Sequence, residues 1–158
     1  MFLILLVSFF RVIYSYQNCL IRGQSLSINQ YITSENNLFK LKVSNLLNLC
    51  IFNSDGSQRW CTNKVNTNGK QLNITSSGGF GSITKSNTVF WAPHAISNQL
   101  MPNINYLIMG NNGNIILYNT TGIAWACNSG KYVGNMGACP LTTVDDLNDI
   151  CINYPSGQ

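Results

Sequence analysis

Apolar and polar residues alternate in three stretches of the chain, "LKVSNLLNLCIF" at 41–52, "LNITSSGGFGSI" at 72–83 and "LIMGNNGNIILY" at 107–118. Alternation sends successive side chains to opposite faces, so each stretch predicts a strand, a turn and a second strand. Each is followed by a run that closes on tryptophan: "NSDGSQRW", "TKSNTVFW" and "NTTGIAWA". Trp60, Trp91 and Trp125 are 31 and 34 residues apart, a period that marks an internal repeat. The pattern therefore predicts three units of strand, turn, strand, turn and Trp strand. "GQSLSINQYITSENN" and "APHAISNQLMPNIN" supply the further strands and turns between them. No proline-rich or charged linker interrupts the set, which predicts one domain.

Three units are close to the minimum for stacking, and each alone would expose a large indole. A closed arrangement with the three indoles meeting near an axis removes them from water, at about 1.5–3 kcal/mol for each large apolar side chain buried. The tryptophans are accordingly expected in the core rather than as platforms on which sugars stack.

Composition strengthens the all-β expectation. Of 158 residues 45% are hydrophobic and only 9% charged, against roughly 25% charged in an ordinary soluble domain. Polar character comes instead from Asn, Ser, Thr and Gly, which suit turns, while Ile, Val, Thr and Tyr suit pleated surfaces. The net charge of +4 is modest and no run of Lys or Arg occurs, so nucleic-acid binding has no electrostatic footprint. The apolar opening "MFLILLVSFF", continuing past Arg11 through "VIYS", is too short for a convincing membrane span. It reads as a secretory signal peptide, residues 1–15, with cleavage after Ser15 or one or two residues later. An uncleaved signal anchor is the alternative, because a basic n-region is missing. Cleavage removes Arg11 from nine basic side chains, leaving eight against five acidic ones and a net charge of +3. The mature chain is then expected outside the cell and free of the membrane.

Secretion decides how the cysteines are read. Cys19, Cys50, Cys61, Cys127, Cys139 and Cys151 are an even set beyond the cleavage site, and three disulfides are the economical expectation. None is spaced as in a zinc knuckle, and the single His94 completes no obvious Cys/His site. In "CIFNSDGSQRWC" the turn at Ser54-Asp55-Gly56-Ser57 would set Cys50 opposite Cys61 in a symmetric hairpin. Opposed Cβ atoms about 4.5–5.5 Å apart approach disulfide distance. Cys139 with Cys151, flanking a short C-terminal segment, is the next pairing, and Cys19 with Cys127 follows by elimination. Two glycosylation sequons, at Asn73 and Asn119, agree with a secretory route, although an Asn-rich chain produces sequons by chance.

Enzymatic chemistry has little to stand on. His94 follows Pro93 in a loop-like stretch with no carboxylate near it in sequence, and a cysteine partner would be oxidised. Asp145, Asp146 and Asp149 could suggest a metal, but "TTVDDLNDIC" reads better as a short helix capped by Thr142 or Thr143, with acids complementing its dipole. No metal and no cofactor is expected.

Segment 107–126, "LIMGNNGNIILYNTTGIAWA", resembles the repeat of the bulb-type, monocot mannose-binding lectins, in which Gln-x-Asp-x-Asn-x-Val-x-Tyr is followed by a turn and a Trp strand. The resemblance covers about residues 23–128, within a domain at 16–128, and leaves 129–158 as a C-terminal extension. It implies a β-prism: three four-stranded antiparallel sheets about a pseudo-threefold axis, a mannose pocket on each sheet, and frequent homodimerisation by C-terminal strand exchange. A tail tied back by its own disulfide would instead favour a monomer. The motif makes physical sense, since positions spaced by two share one face of a strand. Several fixed donors and acceptors are needed, because each sugar hydroxyl exchanged from water gains only about 0.5–1.5 kcal/mol net.

Carried over by position, Gly110, Asn112, Asn114, Ile116 and Tyr118 occupy the motif in the third repeat. Asn112, Asn114, Ile116 and Tyr118 are thus the expected sugar-binding residues, although Asn112 lacks the charge of Asp and Gly110 has no side chain. The first repeat offers Ser44, Leu46, Asn48, Cys50 and Phe52, with Asn48 retained and Phe52 in place of Tyr. The second offers Thr75, Ser77, Gly79, Gly81 and Ile83, which keep nothing, and a glycan on Asn73 would partly cover them. Three outcomes stand open: mannose bound in the third repeat, another glycan bound at this face or another, and a β-prism with inactive sugar sites that binds protein partners. For Asn114 a plainer role is also available, that of bonding the local backbone at the base of a hairpin.

Overall fold

The computed structural model describes residues 18–93, 98–129, 139–140 and 151. Within them the chain is all-β, with three four-stranded antiparallel sheets. The first sheet is formed by β3 (Tyr31–Thr33), β4 (Phe39–Val43), β5 (Leu49–Asn53) and β6 (Gln58–Cys61) in that order. The second contains β2 (Ser25–Ser27), β7 (Gly69–Ile74), β8 (Phe80–Thr84) and β9 (Val89–Trp91), and the third β1 (Cys19–Ile21), β10 (Tyr106–Met109), β11 (Ile115–Asn119) and β12 (Gly122–Ala126). Each predicted unit supplies three consecutive strands of one sheet. The fourth strands all come from residues 19–33, and the described part of 92–105 contributes only an isolated bridge between Met101 and Phe80. The expectation of a further strand from "APHAISNQLMPNIN" is corrected by that arrangement, since β1 and β2 already close the third and second sheets.

The three units repeat in detail. The first hairpins close with equivalent bonds, Ser44 N–H to Asn48 O, Thr75 N–H to Gly79 O and Gly110 N–H to Asn114 O. Leu47, Gly78 and Gly113 hold the same place in these turns and all have positive φ. Glycine takes that conformation freely, whereas Leu47 is held in it by burial against Gly69, where a Cβ would come within 2.5 Å of the Leu47 Cβ. Each Trp strand then carries one extra residue, with register shifts at 51/52, 82/83 and 117/118. Such bulges increase local twist.

The alternating faces are sorted as the pattern predicts. In β4, Phe39, Leu41 and Val43 point inward while Lys40 and Lys42 are half-buried on the other side. Trp60, Trp91 and Trp125 all join the one core, and Trp91 meets Trp125 edge to face at 6.4 Å between centroids. Edge-to-face contact suits the ring quadrupoles and adds about 0.5–1.5 kcal/mol beyond burial.

Three disulfides are present. Cys50 joins Cys61, directly opposed in the β5–β6 ladder with a Cα separation of 4.1 Å. The other two expected pairings are corrected: Cys19 joins Cys151, and Cys127 joins Cys139. Cys19 lies on β1 and Cys127 just beyond β12, the two opposite edges of the third sheet. Three strand spacings of about 4.8 Å separate those edges, far beyond the reach of a disulfide. Cys139 and Cys151 are thereby anchored at opposite edges of one sheet. The signal peptide at 1–15, His94, Asp145, Asp146, Asp149 and the expected helix up to residue 150 lie outside the described residues.

Candidate functional site

The outward faces of the three sheets are where the motif positions fall. On the third sheet the structure brings Asn112, Asn114, Ile116 and Tyr118 to one side of the β10–β11 hairpin. Asn112 and Asn114 are only 4% and 3% exposed, and Ile116 2%. Their polar atoms have internal partners. Asn112 Oδ1 accepts the Asn114 N–H at 2.9 Å, Asn114 Nδ2 donates to Asn128 Oδ1 at 3.1 Å, and Asn128 N–H donates to Asn114 Oδ1 at 3.3 Å. Asn114 Oδ1 also lies 3.2 Å from Cys127 Sγ and 3.7 Å from Cys139 Sγ, so the disulfide sits directly on the amide. Ile108, beside Ile116 on the same outward face, is equally buried. Tyr118 alone of the four is half-exposed, its ring stacked on Tyr106 at 4.9 Å.

Asn48 performs the same local task in the first repeat. It accepts a 2.8 Å hydrogen bond from Thr62 Oγ1, which in turn accepts the Leu49 N–H, just as Cys127 Sγ accepts the Ile115 N–H. In both repeats this Asn ties the base of the hairpin to the chain leaving the Trp strand. The backbone bond considered for Asn114 is thus made, but to Asn128 rather than within its own hairpin.

The second repeat is filled differently. Leu100 packs over Gly79 and Gly81, where an added Cβ would meet its methyl carbons at 2.9 Å and, at Gly81, the Trp91 carbonyl at 2.6 Å. Glycine is required there because another side chain already occupies the motif face. Asn73 stands between Ser25 and Gly81 on that face, and its Oδ1 is buried with no hydrogen-bond partner among the described residues. Asn119 lies at the end of β11, its Oδ1 accepting from Thr121 N–H and Oγ1–H, each at 2.8 Å.

The first sheet keeps an open concavity of about 230 Å³, lined by Tyr31, Lys40, Lys42, Phe52, Asn53 and Gly56. Register explains how these residues meet. Tyr31 pairs with Lys42 and Lys42 with Cys50; Lys40 pairs with Phe52, all on the outward side. The Lys40 ammonium rests 4.9 Å from the centre of the Tyr31 ring, an attraction of about 0.5–1 kcal/mol at an exposed site. The rim is the β5–β6 turn, where Asp55 accepts from Ser57 N–H at 2.8 Å and Ser57 Oγ–H at 2.6 Å. The Ser57 hydroxyl, and after it the Ser57 amide, hold the Asp55 carboxyl below its ordinary value. The Cys50–Cys61 disulfide occupies the position of the motif's Val beside this hollow. Motif matching reaches Phe52 and misses Tyr31, Lys40, Lys42 and Asn53. The legible signal is the alternation in "FKLKV", which places two lysines together on the face opposite Phe39, Leu41 and Val43.

Three four-stranded sheets with an internal threefold repeat, each carrying its motif positions on the outward side, define the β-prism fold of the bulb-type lectins. Among solved structures the chain is similar to a lectin of Marasmius oreades at 18% identity and a TM-score of 0.57, covering 75% of this chain and 94% of that one. It is similar also to monomeric monocot mannose-binding lectins from Gastrodia elata at 19% and 0.54, covering 69% of this chain and 94% of that one. The snowdrop (Galanthus nivalis) mannose-specific agglutinin, complexed with methyl-α-D-mannoside, matches at 21% and 0.52, over 65% of this chain and 90% of that one. No protein-family profile and no curated protein sequence matches the chain. At these identities the likeness establishes the fold.

Proposed function

We propose that this is a secreted, non-enzymatic carbohydrate-binding protein that recognises a glycan or glycoprotein through the outward face of its first sheet. The observation that carries the proposal is the hollow over Lys40, Lys42 and Phe52. It combines an aromatic wall with polar and cationic side chains on a rigid ladder, while Asn112 and Asn114 are enclosed. In this reading Asn112, Asn114 and Ile116 serve the fold of the third sheet. Phe52, at the position of the motif's Tyr, offers its ring to the C–H face of a sugar. The likeness to lectin structures supports the carbohydrate class, and three disulfides support an oxidising compartment and hence the signal-peptide reading. Both described cysteines of the C-terminal extension are joined to their own chain, which supports a monomer over strand exchange.

Glycan-array binding of the secreted protein, repeated with Phe52→Ala and Asn114→Ala, tests the proposal. Signal lost with Phe52→Ala and kept with Asn114→Ala is the expected result. The converse pattern would return recognition to the third repeat. Silence of the native protein across the array would favour the other role open to a β-prism without working sugar pockets, that of binding a protein partner.

A further inference from the structure

We infer that the ligand of the first-sheet hollow is an acidic saccharide, a sugar residue bearing a carboxylate or sulfate, with Lys40 and Lys42 as its anion-binding pair. This rests on the carbohydrate reading above and adds the chemical class. A neutral hexose is recognised by side chains that both donate and accept, because each hydroxyl does both. The Tyr31 hydroxyl and the Asn53 amide can do both, but the two charged groups of the hollow are ammonium ions, which donate only, and no carboxylate is among its lining residues.

The neighbouring acid, Asp55, accepts the Ser57 amide and hydroxyl on its Oδ1 within its own turn. Two cations side by side on β4 repel one another, and an anion bridging them relieves that repulsion while making charge-assisted hydrogen bonds. Lys40 is also braced by the Tyr31 ring, which lowers the ordering needed on binding. Phe52, opposite Lys40 across the β4–β5 ladder, lies where the apolar face of the same sugar would rest. At about 230 Å³ the hollow is smaller than the roughly 300–1,000 Å³ of drug-sized ligand pockets, which suits a single terminal sugar residue.

The test uses the disulfide-intact protein and matched probes, followed by amide chemical shifts: methyl β-D-glucuronide against methyl β-D-glucoside, and glucose 6-sulfate against glucose. The expected result is at least about tenfold tighter binding of each anionic member than its neutral partner, the margin of a charge-assisted over a neutral hydrogen bond. Shifts should fall on β3, β4 and β5, and raising salt from about 50 mM to about 500 mM should weaken binding. Lys42→Gln and Lys40→Gln should each remove most of that preference, while Asn114→Ala keeps it. A preference shown by only one anionic pair assigns carboxylate or sulfate within the class. Equal binding of neutral and anionic members overturns this inference and leaves the carbohydrate reading standing. Absence of binding by all four probes, with a silent glycan array, overturns both.

Discussion

The outward faces of the first and third sheets carry corresponding motif positions and differ in how open they are. On the third, Asn112 and Asn114 are enclosed, and a disulfide rests on Asn114. Cys139 and Cys151 are clipped to the sheet's two edges. On the first, the disulfide is contained within the β5–β6 ladder, and Tyr31 remains 50% exposed beside two lysines. The contrast teaches that retention of motif residues is a poor guide to an open site. The repeat that best preserves the motif is the closed one, and there Asn114, at the base of its hairpin, has a structural task in holding Asn128.

The strongest way to break this comparison is to remove the covalent clamps. Cys19 and Cys151 are 132 residues apart in sequence, Cys50 and Cys61 only 11. Loop-closure entropy gives about 5 kcal/mol for the long loop and about 3 kcal/mol for the short one. Cys19→Ala with Cys151→Ala should therefore lower the denaturation midpoint further than Cys50→Ala with Cys61→Ala. Faster hydrogen exchange should appear in β10 and β11 in the first case. Equal losses in the two double variants would mean that the third sheet is not the more firmly clamped.

A middle-sized effect separates structure from recognition. Asn114→Ala leaves Asn128 without its two amide contacts and empties a buried polar position, at about 1–3 kcal/mol in urea denaturation. Lys42→Gln, on a half-buried outward position, should change stability by less than about 0.5 kcal/mol. Glycan binding should respond in the reverse order. A destabilising Lys42→Gln together with an Asn114→Ala that abolishes binding would exchange the roles assigned to the two faces.

How much of this was written in the sequence differs between scaffold and surface. Three closed all-β repeats are legible because the tryptophan period and the alternation report one geometry and each recurs three times, while the prism itself was implied by the resemblance of 107–126 to the bulb-type lectin repeat. Hairpin symmetry likewise placed Cys50 against Cys61. The remaining pairings were not legible, because Cys19 and Cys127 are separated by the width of a sheet whose strand order brings β1 beside β10, a long-range fact absent from spacing. Nor could the glycines of the second repeat reveal that Leu100, some twenty residues on, fills the space above them. The lysine pair was visible in "FKLKV", but its meaning depended on Tyr31 arriving from a strand outside the repeat.

The smallest effect concerns whether the two lysines are already neutralised. Asp55 is fully exposed, and its carboxyl is lowered first by the Ser57 hydroxyl and then by the Ser57 amide. A carboxyl lowered on folding stabilises the fold above its ordinary value of 3.8, and that contribution fades as pH falls through the lower folded value. Because the group is exposed, the change in stability will be slight, and NMR titration of the Asp55 carboxyl is the proper measurement. Ser57→Ala should raise its midpoint toward 3.8, whereas Lys42→Gln and Lys40→Gln should leave it in place. A midpoint that rose with either lysine substitution would reveal Asp55 as their counter-ion. The first sheet would then be closed electrostatically, much as the third is closed by its disulfides, and the two faces would no longer differ in kind.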